Sequence, residues 1–414
     1  MLTRRLIAAV SLAPLVLSPA APALADGAAP RTARFATLNA SLNRNAEGEL
    51  VADLSTPDDV QARTVAQIIQ RARPDVLLVN EFDYDAQGLA VELFATNYLE
   101  VGQGGAAPIA YPHRLAFPSN TGVASGFDLN NDRVVADEPG DRGYGDDALG
   151  FGLFPGQFAF AVYSRYPLQT AAVRTFQTFL WRDMPGALLP DETSTAQPGD
   201  FYSPEELDVF RLSSKNHVDV PVQVGRRTIH LLASHPTPPT FDGPEDRNGR
   251  RNHDEIRFWA DYVTPGPRSR YIYDDAGGRG GLKPLAPFVI AGDLNADPLD
   301  GDSVDGAVNQ LLDHPLIDTT PVPSSPGGTE QAALQGGANL GHEGDPAFDT
   351  ADFNDNPAPG NLRVDHVLPR RALGARDAQV FWPTTDDPDF ALVGAFPFPS
   401  SDHRLVSIDL RAGH

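Results

Sequence analysis

The sequence predicts an α/β fold in which β-sheets pack on one another and helices flank them, within a single domain. Short apolar runs of strand character recur from about residue 34 to 410, separated by loops heavy in Gly, Pro, Asp and Asn. Segments with helical periodicity are few. No internal repeat divides the 414-residue chain, which is long enough to bury a sizeable core. The domain is expected over 34–412, after a short linker at 26–33.

The first residues, MLTRRLIAAVSLAPLVLSPAAPALADG, join a basic start (Arg4, Arg5) to an apolar stretch from Leu6 to Leu17 and small residues at Ala23 and Ala25. This three-part pattern predicts a signal peptide over 1–25 and export to the periplasm or the medium. Pro14, Pro19 and Pro22 interrupt a run already too short to span a bilayer, and no later stretch is apolar enough for a transmembrane helix. RFATLNA (34–40) then alternates as a strand. TPDDVQARTVAQIIQRARPD (56–75) reads as one helix, with Thr56 as N-cap, Pro57 at the first helical position and Ala62, Val65, Ala66 and Ile69 on one face. Pro74 ends it, and DVLLVNE (75–81) follows as a buried strand. Further strands are predicted at 158–164, 218–224, 228–234, 287–293, 363–369 and 405–410, with helices at 250–263 and 303–312. Trp181, Trp259 and Trp382 are assigned to packing. Segments 119–150 and 319–360 read as long loops, expected to be functional rims or disordered. In the first of them, Asp128, Asn130 and Asp132 have the spacing that opens a calcium loop. Arg133 occupies the tight-turn glycine position and no Glu closes the loop, so a polar turn is the expected reading.

Composition removes several classes of chemistry. The chain has no cysteine, which excludes disulfides, thiolate metal sites and cysteine nucleophiles. Acidic residues number 55 against 32 basic ones, for a net charge of -23. Such a surface opposes broad electrostatic binding of polyanions, so no stable nucleic-acid partner is expected. Abundant carboxylates suit hard cations.

The informative pattern lies at the strand ends. Asn39 closes the first strand and Glu81 the second. His235 follows TIHLLAS, and Asp293 and Asn295 follow PFVIAG. Asp365 lies in RVDHVLP, and Asp402 and His403 precede the last strand. A single Asp or Asn there would be an ordinary turn residue. Repeated at strand after strand, these side chains predict one convergent site. Uncompensated, its carboxylates would repel one another, which implies a divalent cation.

With its TLNASLNR, PDVLLVNEFD, YSRYPL, LLASHPTPP, IAGDLNADP, RVDHVLP and SSDHRLVSIDL segments in order, the chain resembles the endonuclease/exonuclease/phosphatase family of DNase I-like metal-dependent phosphoesterases. The resemblance spans roughly residues 34 to 410. It implies a four-layer α/β sandwich, two mixed β-sheets packed face to face and flanked by helices. It also implies hydrolysis of phosphate mono- or diesters by in-line attack of an activated water. Asn39, Glu81 and Asp402 would hold the cation, most simply Mg²⁺, with Mn²⁺ or Ca²⁺ as alternatives. Asp293 would activate the water, with Asn295 bonding the water or a phosphoryl oxygen. Asp365 would orient His403 and keep it protonated. His235 would contact the phosphate or protonate the leaving group. Two positions depart from the family pattern: Asn80 stands where Gln is common, and His366 where Tyr or Phe is common.

Lys215, Arg247 and Arg251 are weaker substrate-binding candidates, the arginines lying in the compact basic run EDRNGRR. The substrate expected is a phosphoester, small organic phosphates suiting the acidic balance better than a polymer, and the protein is expected to be a monomer. Two alternatives stand beside this reading: a secreted nuclease acting on DNA or RNA, and a non-catalytic binding module on the same fold.

Overall fold

The computed structural model describes residues 32–411; the predicted signal peptide and most of the predicted linker lie outside them. One sheet contains β1 (Thr32–Leu42), β2 (Val76–Phe82), β3 (His113–Ala116), β4 (Phe160–Ser164), β12 (Ala375–Val380) and β13 (Val406–Arg411), in the order β12-β13-β1-β2-β4-β3. The other contains β5 (Arg174–Thr175), β6 (His217–Val224), β7 (Arg227–Ser234), β8 (Phe288–Asp293) and β11 (Asp365–Pro369), in the order β11-β8-β7-β6-β5. Both sheets are mixed: β1–β2 and β7–β8 pair parallel, and their other pairings are antiparallel. A small hairpin joins β9 (Ala351–Asp352) to β10 (Asn361–Leu362).

Period-two alternation sorts the second sheet's side chains into two cores. Val218, Val220, Val222 and Val224 of β6, Leu231 and Ala233 of β7, Val289 and Ala291 of β8 and Val367 of β11 face the first sheet, toward its Phe35, Val406 and Ile408. The alternate residues Leu232, Phe288, Ile290 and Leu368 face outward, beneath the long helix Arg247–Val263, against its Ile256, Trp259 and Tyr262. The helix Val60–Ala72 lays Val65, Ala66 and Ile69 against the first sheet. Helix, sheet, sheet, helix is the layering the resemblance implies.

Each predicted strand forms, with ends shifted by a residue or two. The differences have local causes. The first long helix begins at Val60, because Asp59 rather than Thr56 caps it, its carboxylate accepting from the Ala62 amide at 2.7 Å. Pro57 therefore sits in the preceding turn. The predicted helix at 303–312 breaks into a 3₁₀ turn, Val304–Gly306, and a short helix, Asn309–Leu312, with Asp305 left-handed at φ 48°. Segment 319–360 is not a bare loop. It holds the helix Pro326–Gln335, capped by the Ser325 hydroxyl, and most of the β9–β10 hairpin. The DLNNDR turn closes on itself, the Asp128 carboxylate accepting from the Asp132 and Arg133 amides. All three tryptophans are buried. No described helix is long and apolar enough to cross a membrane.

Candidate functional site

Strand register assembles the site. β8 and β11 run antiparallel with Asp293 directly opposite Asp365. β7 lies parallel to β8 with Ala233 opposite Ala291, so His235, just past the end of β7, emerges beside Asp293. In the facing sheet Asn39 of β1 is level with Asn80 of β2, which brings Asn39 and Glu81 to neighbouring strand tips. His403 enters just ahead of β13. Gly292 permits the row: a Cβ there would fall on the Ser234 carbonyl oxygen.

The Asp293 carboxylate is the hub. Its Oδ2 accepts from Asn39 Nδ2 at 3.0 Å and lies 3.4 Å from His235 Nε2 and 3.7 Å from His403 Nε2. Its Oδ1 accepts from the Asn295 amide at 2.9 Å. The other face of His403 meets Asp365, Nδ1 to Oδ2 at 2.8 Å, while Asp365 Oδ1 and His235 Nδ1 are buried without a hydrogen-bond partner among the described residues. Ligand atoms of Asp293, Asp365 and His403 lie within 4.8 Å of one another. Glu81 accepts from Asn43 Nδ2 at 2.8 Å, and among the described residues the half-buried Asp402 carboxylate has only the Ser41 and Ser401 hydroxyls near it, at 3.5 and 3.4 Å.

Burial and charge set the two imidazoles in opposite states. Burial, aided by Lys215 and His403, holds His235 well below its ordinary pKa, and so neutral. Burial would lower His403 too, but the Asp365 and Asp293 carboxylates outweigh it and hold that imidazole well above its ordinary value. Burial raises Asp293 to about 6, with His403 opposing and Asp365 adding to the rise. Glu81 is raised by burial, against the Asn39 amide and His403.

The weaker candidates separate. Lys215 is 6% exposed, its Nζ 3.4 Å from the Pro236 carbonyl that also accepts from Asn295 Nδ2 at 3.1 Å. Burial lowers its pKa, and the carboxylates of Glu255, Glu81 and Asp293 work against that. It therefore sits inside the site rather than on the surface. Arg251 is a correction to the substrate-facing expectation. It is buried in the helix Arg247–Val263, stacks over Phe210 at 4.5 Å and donates to the carbonyls of Leu212, Leu149 and Arg211. Its Nε and Nη2 donors are spent on the fold. Arg247 pairs with Glu245 and lies over Phe201, and makes no described contact with the Asp293 cluster. His366 Nε2 donates to the Ala296 carbonyl at 3.1 Å, and burial lowers its pKa to about 3. Asn80 bonds the Thr37 hydroxyl at 2.9 Å, a packing role beneath Glu81.

Supporting residues went unread in the sequence. Asn252 donates to the carbonyls of Thr237 and Leu294, and Glu255 accepts from the Ser214 and Thr237 amides, so one helix anchors the segments bearing Lys215, His235 and Asn295. The signal was present: Asn252 and Glu255 share the helical face of Ile256 and Trp259, and a polar group on a buried stripe requires a partner. The backbone itself gave no such signal. Ser41, Glu81 and Asn295 all take left-handed φ, at 48°, 54° and 51°. For a non-glycine residue this costs roughly 1–3 kcal/mol and is found where a site over-determines the geometry.

A family model described as the Endonuclease/Exonuclease/phosphatase family matches residues 36–403. The chain belongs to this family. It is accordingly a hydrolase acting on phosphoester bonds, and its two mixed sheets with flanking helices are the sandwich expected of the family. Similar solved structures include an endonuclease/exonuclease/phosphatase from Beutenbergia cavernae DSM 12333, 20% identical with a TM-score of 0.48, over 93% of this chain and 72% of that one. Sphingomyelinase C from Streptomyces griseocarneus is 14% identical with a TM-score of 0.44, over 91% and 99% of the two chains. The mannosyl-6-phosphatase Bt3783 of Bacteroides thetaiotaomicron VPI-5482 is 11% identical with a TM-score of 0.43, over 91% and 99%. No curated protein matches the chain.

Proposed function

We propose that this family member is an exported, divalent-metal-dependent hydrolase of small phosphate mono- or diesters, working by in-line attack of water at the Asp293 cleft. The observation that carries the reading is the shared Asp293 Oδ2, reached at once by Asn39, His235 and His403. Asp293 takes the proton of the attacking water, and Asn295, anchored at Pro236, orients that water or a phosphoryl oxygen. His403, cationic through Asp365, faces developing charge and supplies the leaving-group proton. His235, held neutral, makes a hydrogen bond to a phosphoryl oxygen instead of acting as the acid. Lys215 supplies a second positive charge toward the phosphate.

The donor set fits a hard cation. Among the described residues, Glu81 and Asp402 offer carboxylate oxygens with few partners, and Asn39 Oδ1 accepts only the Ser41 amide at 3.1 Å. These three residues would hold Mg²⁺, or Mn²⁺ or Ca²⁺ in its place. When bound, such an ion neutralises charge on the phosphoryl oxygens. The tighter Asp293–Asp365–His403 group is a poorer holder, because the Asp365–His403 bond already engages both partners.

The signal-peptide pattern predicted over 1–25 supports export, and the net charge of -23 favours small esters over DNA or RNA. Purified protein is to be tested on plasmid DNA, sphingomyelin and simple phosphate esters, with and without EDTA. Chelation is expected to abolish hydrolysis and added Mg²⁺ to restore it. Activity indifferent to EDTA and to Glu81→Gln would refute the metal assignment, and rapid plasmid degradation would favour a nuclease. A binding module would turn over none of them.

A further inference from the structure

The Asp365–His403 dyad joins two sheets. Asp365 begins β11 in one sheet, His403 precedes β13 in the other, and the imidazole–carboxylate bond spans 38 residues of sequence. Its 2.8 Å length therefore depends on how the sheets are held at this point. Residues 350–352 touch both partners. The Thr350 hydroxyl accepts from the amides of Val364 and Asp365 at 3.0 and 2.9 Å, while the Thr350 carbonyl accepts from the Arg404 amide at 2.7 Å. Ala351 bridges to His403. The Asp352 amide donates to the Asp402 carbonyl at 2.8 Å, and its carboxylate pairs with Arg404 Nη2 at 2.9 Å.

Arg404 completes the frame. Its side chain is fully buried, lies over Trp382 at 4.3 Å and over Phe398 at 5.3 Å, and donates through Nη1 to the Ser401 carbonyl at 2.9 Å. Asp352 is tied back by Gln335 at 2.7 Å, and Gln335 in turn accepts from Asn361 at 2.9 Å, linking the frame to the helix Pro326–Gln335. Burying a guanidinium costs several kcal/mol unless it is well paired, and a hydrophobic substitute of similar volume is often as stable. Stability alone is thus a weak reason for a buried arginine immediately after His403. Geometry is a better one: its bonds converge on the Ser401–His403 segment.

We infer that Thr350, Asp352 and Arg404 form a brace that sets the Asp365–His403 spacing, and that they are positioning residues for phosphoester hydrolysis. The inference rests on the role given to the dyad in the proposed function. Substrate contact is not required of the brace. A displacement of about 1 Å at a catalytic group costs on the order of a hundredfold in rate.

The test uses the full mature chain in three variants: Thr350→Val, which keeps shape but loses the hydroxyl acceptor, Thr350→Ser, which restores it, and Asp352→Asn, read separately. Melting temperature establishes folding. The readouts are kcat and KM on p-nitrophenyl phosphate and bis-p-nitrophenyl phosphate, and the downfield imidazole N–H proton of His403 by NMR, assigned with His403→Gln. Thr350→Val is expected to lower kcat about tenfold or more with KM within about twofold, and to move or broaden the imidazole proton, with Thr350→Ser recovering both. Asp352→Asn is expected to act in the same direction. A folded Thr350→Val or Asp352→Asn protein with unchanged kcat and an unchanged imidazole signal would overturn the brace. If the wild type hydrolyses neither ester, the proposed substrate class fails for these probes, and the imidazole signal still decides the brace.

Discussion

Among the described residues, two histidine–aspartate pairs are shorter than 3 Å, and one of the two lies in a cleft of converging strand ends. His403 meets Asp365 at 2.8 Å; His230 meets Asp219 at 2.7 Å on the outer side of the second sheet. Around Asp219 the polar groups are matched. Its second oxygen accepts from the Tyr262 hydroxyl at 2.7 Å, that hydroxyl accepts from Arg174 at 3.1 Å, and Arg174 pairs with Asp274 at 2.6 Å. Around Asp365 they are not: its Oδ1 and the neighbouring His235 Nδ1 lack described partners, and Asp293 stands opposite. A buried polar group without a partner costs about 1–3 kcal/mol. The cleft retains such groups where the structural pair has none, which marks the cleft as a place for a ligand.

The contrast can be broken by mutation. Asp293→Asn is expected to produce the largest effect, a loss of about 10³-fold or more in kcat on any accepted phosphoester, measured beside the melting temperature to show an intact fold. Asp365→Asn is expected to cost about 10²-fold, since His403 loses the partner that keeps it cationic. Asp219→Asn should reverse the pattern: activity per folded molecule unchanged, stability lower by about 1–3 kcal/mol in urea unfolding. Equal activity losses in Asp365→Asn and Asp219→Asn would erase the distinction between the two pairs.

A third carboxylate sharpens it. Burial, with Asp297, Asp300 and Asp345 nearby, raises Asp349 to about 8. An aspartate in the unfolded chain titrates near ~4. Between those values the folded state holds a proton that the unfolded state has released, so stability falls as pH rises, by up to about 1.4 kcal/mol per pH unit. Asp349→Asn is expected to raise the melting temperature by a few degrees at pH 8 and leave it unchanged near pH 4. A melting curve series with the same slope in both proteins would remove Asp349 as its cause.

Much of the molecule was legible in advance, because apolar alternation is a local property. RFATLNA and TIHLLAS can bury their oily faces in few ways, and their ends had to carry Asn39 and His235 to one rim. Helix starts were less legible: Thr56 and Asp59 are both good caps, and the choice between them depends on which side chain reaches an amide. Segment 319–360 reads as loop in the sequence because a glycine-rich, weakly apolar stretch gives little periodicity, although tertiary contacts order it into a helix and two of the three brace residues.

Sequence alone determined which chemical groups this protein possesses, in what order, and that strands would deliver them to a common end. It could not determine which of them are already spent. Arg251 and Lys215 look alike as isolated cations, yet one gives its donors to backbone carbonyls while the other has a single long bond at 3.4 Å beside the carboxylates. His235 and His403 are the same residue type, yet burial leaves one neutral and two carboxylates keep the other charged. Hydrogen-bond saturation and local field depend on neighbours far apart in the chain, so only the tertiary structure decided them.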